Sequence, residues 1–239
     1  MLHFSHHKNY TAMRLTQKIC KLISIPKSLY VNFRLLPPRQ ALRMPIAVRW
    51  NTRLADLSGS AAITGAVRRG MVSIGFEQVA IFDPHSQPCI LDIRGRWNIG
   101  GNTVLGTGAR ISIAPGGVLT TGDGFYNSAA INIVCFNSVA FGEKCVTSWN
   151  TLVMDSDIHT TRNTVTGEVR GCDGPIAVGN GVWICAGAML LKGSAVADGC
   201  IVAAGAVMVG GRFEEPCCLV AGNPAAVRKH GITLHGLRN

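Results

Sequence analysis

The chain has 239 residues, 47% of them hydrophobic and only 15% charged, which excludes a disordered or solvating polypeptide and leaves one large domain or two small ones. Its formal net charge is +10, and its unbroken apolar or glycine runs, such as Gly181 to Leu191 and Gly199 to Gly211, fall far short of the ~20 residues that a membrane-spanning helix needs.

In chain order, Met1 to Lys8 carry three histidines and one lysine before a broken amphipathic stretch. They lack the apolar block and small-residue cleavage site of a secretory signal, so a cytoplasmic location is expected. Residues 1–53 hold ten Lys or Arg and no Asp or Glu, while the remainder holds thirteen of each sign. Glycine respects the same border, with none of the 28 before Gly59. This predicts a basic N-terminal extension over residues 1–58, helical from about Thr11 to Ser24 and ended by Pro26. Its alternation of Arg14, Lys18, Lys21, Lys27, Arg34, Arg39, Arg43 and Arg49 with Leu15, Ile19, Leu22, Ile23, Leu29, Phe33 and Leu35 suits two roles. One is a solvated helix packed on the body. The other is a peripheral contact with anionic lipid at the inner membrane face or with an anionic glycan. No recognition motif or aromatic platform accompanies the charge, so a nucleic-acid partner is not expected.

From Val178 onward an aliphatic residue returns every six positions: Val178, Ile184, Leu190, Val196, Val202, Met208. Four residues after each of the first five stands a slim side chain: Val182, Ala188, Ser194, Cys200, Ala206. Earlier the period recurs as Ile93, Ile99, Leu105, Ile111, then Ile113, Leu119, Phe125, Ile131, then Ile133, Val139, Cys145, Thr151. These sets are offset by twenty residues, so the early coils are expected to be two residues longer than eighteen. A period of six fits neither an amphipathic helix nor an open sheet. It fits an all-β solenoid in which each side of a triangle directs one aliphatic residue inward and three sides make one coil of a parallel β-helix. The alternative, a Gly/Val-rich sandwich, does not account for the slim residues at fixed spacing. The body is therefore placed at residues 59–213, with a polar excursion at 155–175 and a C-terminal loop and tail at 214–239.

The run from Ile176 to Gly193, then Val196 to Val207, then Val220-Ala-Gly-Asn-Pro224-Ala-Ala-Val-Arg228-Lys229, resembles the left-handed β-helix, hexapeptide-repeat acyltransferases. The likeness is strongest over about residues 145–232 and weaker back to Met71; residues 1–60 find no counterpart in it. Asp155-x-Asp157-x-His159 resembles the polysaccharide O-acetyltransferase branch. The hand of the coil is implied by this likeness alone, because a six-residue period does not set it. The likeness further implies a homotrimer binding acetyl-CoA in clefts between subunits, with a sugar or polysaccharide as acceptor.

Of the seven histidines only His159 interrupts the coils, at the start of the excursion. Acyl transfer to a hydroxyl needs a base, and imidazole suits it. The reading makes His159 the general base, Asp157 or Asp155 its orienting acceptor, and Asn150 or a backbone N–H the oxyanion donor. By position in the motif, Ala186 and Ala204 are expected to receive the pantetheine arm of the cofactor. Pro224, Arg228 and Lys229 lie where such proteins meet its nucleotide. Two departures stand out: Val209-Gly210 replaces a usual Thr-Lys, and Cys185 a usual glycine. The bland reading of His159 is a surface loop residue, and that of Arg228 and Lys229 a charged chain end.

Nine cysteines, an odd number without Cys-x-x-Cys, argue against structural disulfides; Cys135, Cys145, Cys185 and Cys200 read as small apolar side chains. No Cys/His cluster has ligand spacing, so no metal is expected, and a zinc lyase on the same prism would need three histidines where the coils offer one. The competing functions are a non-catalytic scaffold that binds membrane or glycan through the basic arm, and an acetyltransferase acting on a small non-sugar alcohol.

Overall fold

A computed structural model describes residues 17–236. The chain winds through three parallel sheets in strict rotation, beginning with Ile46–Val48 on the first face, Arg53–Asp56 on the second and Ser60–Ile63 on the third. Seven complete coils follow one another in this way, and Leu219–Ala221 opens an eighth. The body is thus a three-sided parallel β-helix. Late coils pair Trp183 with Ile201 and Leu190 with Met208, eighteen residues apart. Earlier coils pair Leu119 with Val139 at twenty and Ile111 with Ile133 at twenty-two. The additional residues lie in corners: four separate Ile113 from Val118, but two separate Cys135 from Ser138. The inward columns therefore stay aligned while the corners vary.

Every residue of the three hexad sets is buried, as are Val182, Ala188, Ser194, Cys200 and Ala206 in the corners. Coils stack at the ordinary strand spacing of about 4.8 Å, so a corner without room for a side chain takes glycine. A Cβ on Gly117, in the corner between Ile113 and Val118, would lie 2.5 Å from the Cys135 carbonyl oxygen of the next coil. The nine cysteines are all free, and Cys135, Cys145 and Cys200 are buried as apolar side chains. Burial pushes the thiols of Cys135 up to about 12 and of Cys145 up to about 11, which keeps them inert.

The coil stack starts at Ile46, well before the border expected at residue 58, because Ile46–Val48 and Arg53–Asp56 already belong to it. Charge and glycine content marked composition there, not folding. Helix also runs further than expected. Residues 17–23 are helical and α1 (Ile25–Leu35) continues from them through Ser24, which keeps right-handed helical torsions, with Pro26 in its first turn, where a missing N–H costs nothing. Thr11–Thr16 of the expected helix lie outside the described residues.

An open coil end exposes the N–H and C=O groups of its edge strands. Here side chains of the helices replace the missing coil. Asn32, fully buried in α1, donates through Nδ2 to the Ile46 carbonyl at 2.7 Å and accepts from the Ile46 N–H at 3.0 Å. Ser28 accepts from the Val48 N–H at 2.9 Å. Gln40, in the short α2 (Pro38–Ala41), grips the backbone of Ile63 in the same two-way manner. At the far end Ala226–Lys229 folds back antiparallel on Leu219–Ala221 and covers the last coil.

Candidate functional site

The residues singled out above fall on two edges of the prism. Between the second and third faces, Leu152–Met154 ends and the excursion begins. It is not irregular: Thr161–Arg162 pairs antiparallel with Val169–Arg170, and Ser156 bridges Asp173, making a hairpin finger. His159 sits at the base of that finger with its ring exposed. The preceding Ile158 has φ +64°, a left-handed conformation costly for a β-branched residue, and its N–H is held by Ser156 Oγ at 2.9 Å. The kink turns the next residue out of the coil.

The two aspartates part company. Asp155 is fully buried and its carboxylate accepts the N–H groups of Phe136 at 2.7 Å and Asn137 at 2.9 Å, closing the corner of the preceding coil. Its oxygens are committed to structure, which removes it as partner of His159. Asp157 is exposed and ion-paired with Lys192 Nζ, while Lys192 also donates to the Gly171 carbonyl at 3.0 Å and so braces the far limb of the finger. Neither carboxylate meets the imidazole. Asn150 lies on another edge, exposed, at φ +56°; the left-handed turn by itself explains an asparagine there.

That other edge, between the first and second faces, carries the residues expected to meet a cofactor. The Gly187 N–H donates to the Trp149 carbonyl and the Gly205 N–H to the Ala186 carbonyl, so Trp149, Ala186 and Ala204 stand one above another. A Cβ on Gly205 would meet nothing within 4 Å, which leaves open space beside the exposed Ala204. Beyond it the loop at Gly222 is tied down by Val207 N–H to the Gly222 carbonyl and Ala225 N–H to the Val207 carbonyl. The Asn223–Pro224 bond is cis. Arg228 donates from Nε to the Ala221 carbonyl at 3.3 Å, and its guanidinium lies against Gly222, where a Cβ would come within 3.0 Å of it. Ala186, Ala204, Pro224 and Arg228 thus form one edge, whereas Lys229 is exposed opposite Leu219, at the far end of the closing strand from that edge. This edge has the form a long, narrow ligand ending in phosphates requires: small side chains, then an exposed guanidinium.

Both departures from the motif can be placed. Cys185 opens the same corner as Ala186, half-buried, with its thiol pushed up to about 11 by burial, so it is bulk rather than a nucleophile. Val209 and Gly210 lie on the finger's edge, not the alanine edge. Lys192 escaped sequence reading because nothing local ties it to Asp157, 35 residues earlier.

Within one chain His159 and the alanine edge are separated by the whole second face. The outward side chains of that face, Leu152, Met154, Met189, Leu191 and Val207, are apolar and only partly covered.

No known family model matches the chain, nor does any curated protein. Among solved structures, the polysialic-acid-specific acetyltransferase NeuO is 17% identical, covering 78% of this chain and 83% of its own, with a TM-score of 0.49. The polysialic acid O-acetyltransferase OatWY is 20% identical over 76% and 72%, with a TM-score of 0.42. A maltose O-acetyltransferase from Clostridium difficile 630 is 19% identical over 47% and 58%, with a TM-score of 0.39. All three neighbours are acetyltransferases.

The aspartates give a direct test. Asp155→Ala removes, at a fully buried position, the acceptor of both the Phe136 and the Asn137 N–H, and is expected to lower unfolding free energy by about 2–5 kcal/mol in chemical denaturation. Asp157→Ala, which breaks an exposed ion pair, is expected to cost under about 1 kcal/mol.

Proposed function

We propose that the protein is an O-acetyltransferase that moves the acetyl group of acetyl-CoA to a saccharide hydroxyl, with His159 as general base. The observation that carries this reading is the arrangement around the second face. A histidine kinked out of the coil stands at one edge, an alanine ladder ending in Arg228 at the other, and apolar outward side chains lie between them. Covering that face with a second copy removes the apolar surface from water. It also brings the finger of one protomer toward the alanine edge of another, in keeping with the trimer that the sequence resemblance implies.

Ala186 and Ala204 then flank the pantetheine arm, while Pro224 and Arg228 face the nucleotide phosphates. His159 takes the acceptor hydroxyl's proton as the oxygen attacks the thioester carbonyl; the carbon–sulfur bond breaks, and the proton passes to the departing thiolate. Ester and free CoA thiol leave, and the imidazole is neutral again. Of the two aspartates of the motif, Asp157 is the one left for the base, and its engagement would require exchange of its Lys192 partner. His159→Ala is expected to lower kcat by about 10²- to 10⁴-fold in an assay of thiol release from acetyl-CoA with a saccharide acceptor, leaving CoA binding in place. Unchanged turnover would remove His159 from the chemistry.

The N-terminal cap supports a second contact. Leu22, Ile25, Leu29, Tyr30 and Phe33 are each about half exposed or more on one helical surface. Lys18, Lys21 and Arg69 line a cleft of about 460 Å³ beside it. A sequence of ten cations without one acid complements an anionic bilayer, and each inserted side chain adds up to about 1.5–3 kcal/mol. We read this cap as a peripheral membrane contact, placed at the end of the prism several coils from His159. The full chain is expected to float with phosphatidylglycerol vesicles but not with neutral ones, and to stay behind after Leu29→Ser with Phe33→Ser or Lys18→Glu with Lys21→Glu. Point changes are needed because deleting residues 1–53 would remove the strand Ile46–Val48. Flotation that survives both pairs, or none by the full chain, contradicts the reading.

A further inference from the structure

The C-terminal end of the prism gathers three groups that sequence spacing does not connect. Glu215 lies in the loop that leaves the last complete coil, Cys218 immediately precedes the strand Leu219–Ala221, and His230 immediately follows the strand Ala226–Lys229 that folds back upon it. His230 Nδ1 is 2.9 Å from Glu215 Oε1 and 3.6 Å from Cys218 Sγ, and the three atoms all lie within 4.8 Å of one another. Cys218 is buried, whereas Glu215 and His230 are exposed and free to adjust.

We infer that Glu215, Cys218 and His230 form a zinc site that staples the closing hairpin to the last coil. One sulfur, one imidazole nitrogen and one carboxylate oxygen make a borderline-soft donor set that suits Zn²⁺ and excludes Mg²⁺ or Ca²⁺, which take oxygen ligands. Tetrahedral zinc with bonds of about 2.3 Å to sulfur and about 2.0 Å to nitrogen holds those two atoms about 3.5 Å apart, close to the separation present. Relative to His230 the carboxylate needs to widen its 2.9 Å separation by only a few tenths of an ångström, and its exposure permits it to adjust. The fourth position is left to water. The neighbouring thiols do not supply it. Cys200 Sγ accepts the Cys218 N–H at 3.4 Å, and the Cys217 sulfur turns toward Gly199.

The staple acts where the fold lacks other support. Every inner coil is held by hydrogen bonds on both sides, but the hairpin has a neighbour on one side only, and its register shifts between Leu219 and Val220. Among the described residues, Ile232 N–H to the Cys217 carbonyl at 2.7 Å is the remaining backbone hydrogen bond beyond His230. A metal bridging Glu215, Cys218 and His230 would also fix the loop at Gly222 and Arg228, which lies inside the hairpin. The inference does not depend on the acetyltransfer reading.

The test uses the full chain stripped with chelator and titrated with Zn²⁺ against a chromophoric competitor. It is done in a His3→Ala, His6→Ala, His7→Ala background so that the terminal histidines contribute nothing. About one equivalent is expected to bind, raising Tm, and EDTA is expected to reverse the rise. Glu215→Gln and His230→Ala, at exposed positions that leave the core untouched, are each expected to weaken binding by at least about tenfold, the least that losing even an outer-shell partner costs. Substituting Co²⁺ is expected to give a thiolate charge-transfer band that Cys218→Ser abolishes and Cys217→Ser keeps. No uptake of Zn²⁺, or uptake undiminished in Glu215→Gln and His230→Ala, would overturn the site and leave a simple His–Glu ion pair.

Discussion

The structure depends on one constraint: a strand can find its hydrogen-bond partners only in the coils before and after it, 17 residues away in the tightest coil and 37 where a loop leaves the prism. The aliphatic columns satisfy this by keeping each coil the same width inside, so that Ile111, Ile133, Val153, Leu190 and Met208 pair in unbroken succession along one face. Corners are then free to differ in length provided that they begin and end on the column. That freedom is what allows a finger to leave the prism after Asp155 and return before Ile176 without disturbing the strands on either side. Asp155 holds the point of departure. Its buried carboxylate does for the open corner what the next coil's backbone does elsewhere.

The same constraint explains the two ends. A solenoid cannot stop without leaving backbone groups bare, and here the two ends use different solutions. At the start, side-chain amides and hydroxyls of Ser28, Asn32 and Gln40 stand in for a missing coil. At the finish, the chain turns back on itself at cis Asn223–Pro224. Because helices do the capping at the start, their remaining surface is left outward, apolar and cationic. Structural need and surface character at that end are two sides of the same amphipathic segment.

The parallel β-helix was legible because its period is global: inward residues return every six positions through three sets from Ile93 to Thr151 and again from Val178 to Met208. The start of the stack was hidden because Ile46–Val48 and Arg53–Asp56 carry no glycine and are too short to show a six-residue period. The capping pairs Asn32–Ile46 and Gln40–Ile63 join residues with no pattern in common, and neither could be found from spacing. At the candidate site, the histidine was legible as an interruption of the repeat. The division of labour between Asp155 and Asp157 was not, since burial decides it and the motif shows two equal carboxylates. The cluster of Glu215, Cys218 and His230 was invisible for the same reason, being assembled by a fold-back.

The proposed acetyl transfer requires the finger of one copy to act on the alanine edge of another. Complementation measures it most directly. His159→Ala and an edge-blocked Ala204→Trp chain, each inactive when made alone, are co-expressed with different tags and the mixed assembly is purified through both. The account predicts that the mixed assembly regains acetyl transfer, because some contacts then pair an intact histidine with an intact edge. A mixed assembly that forms but stays as inactive as its parents would contradict it.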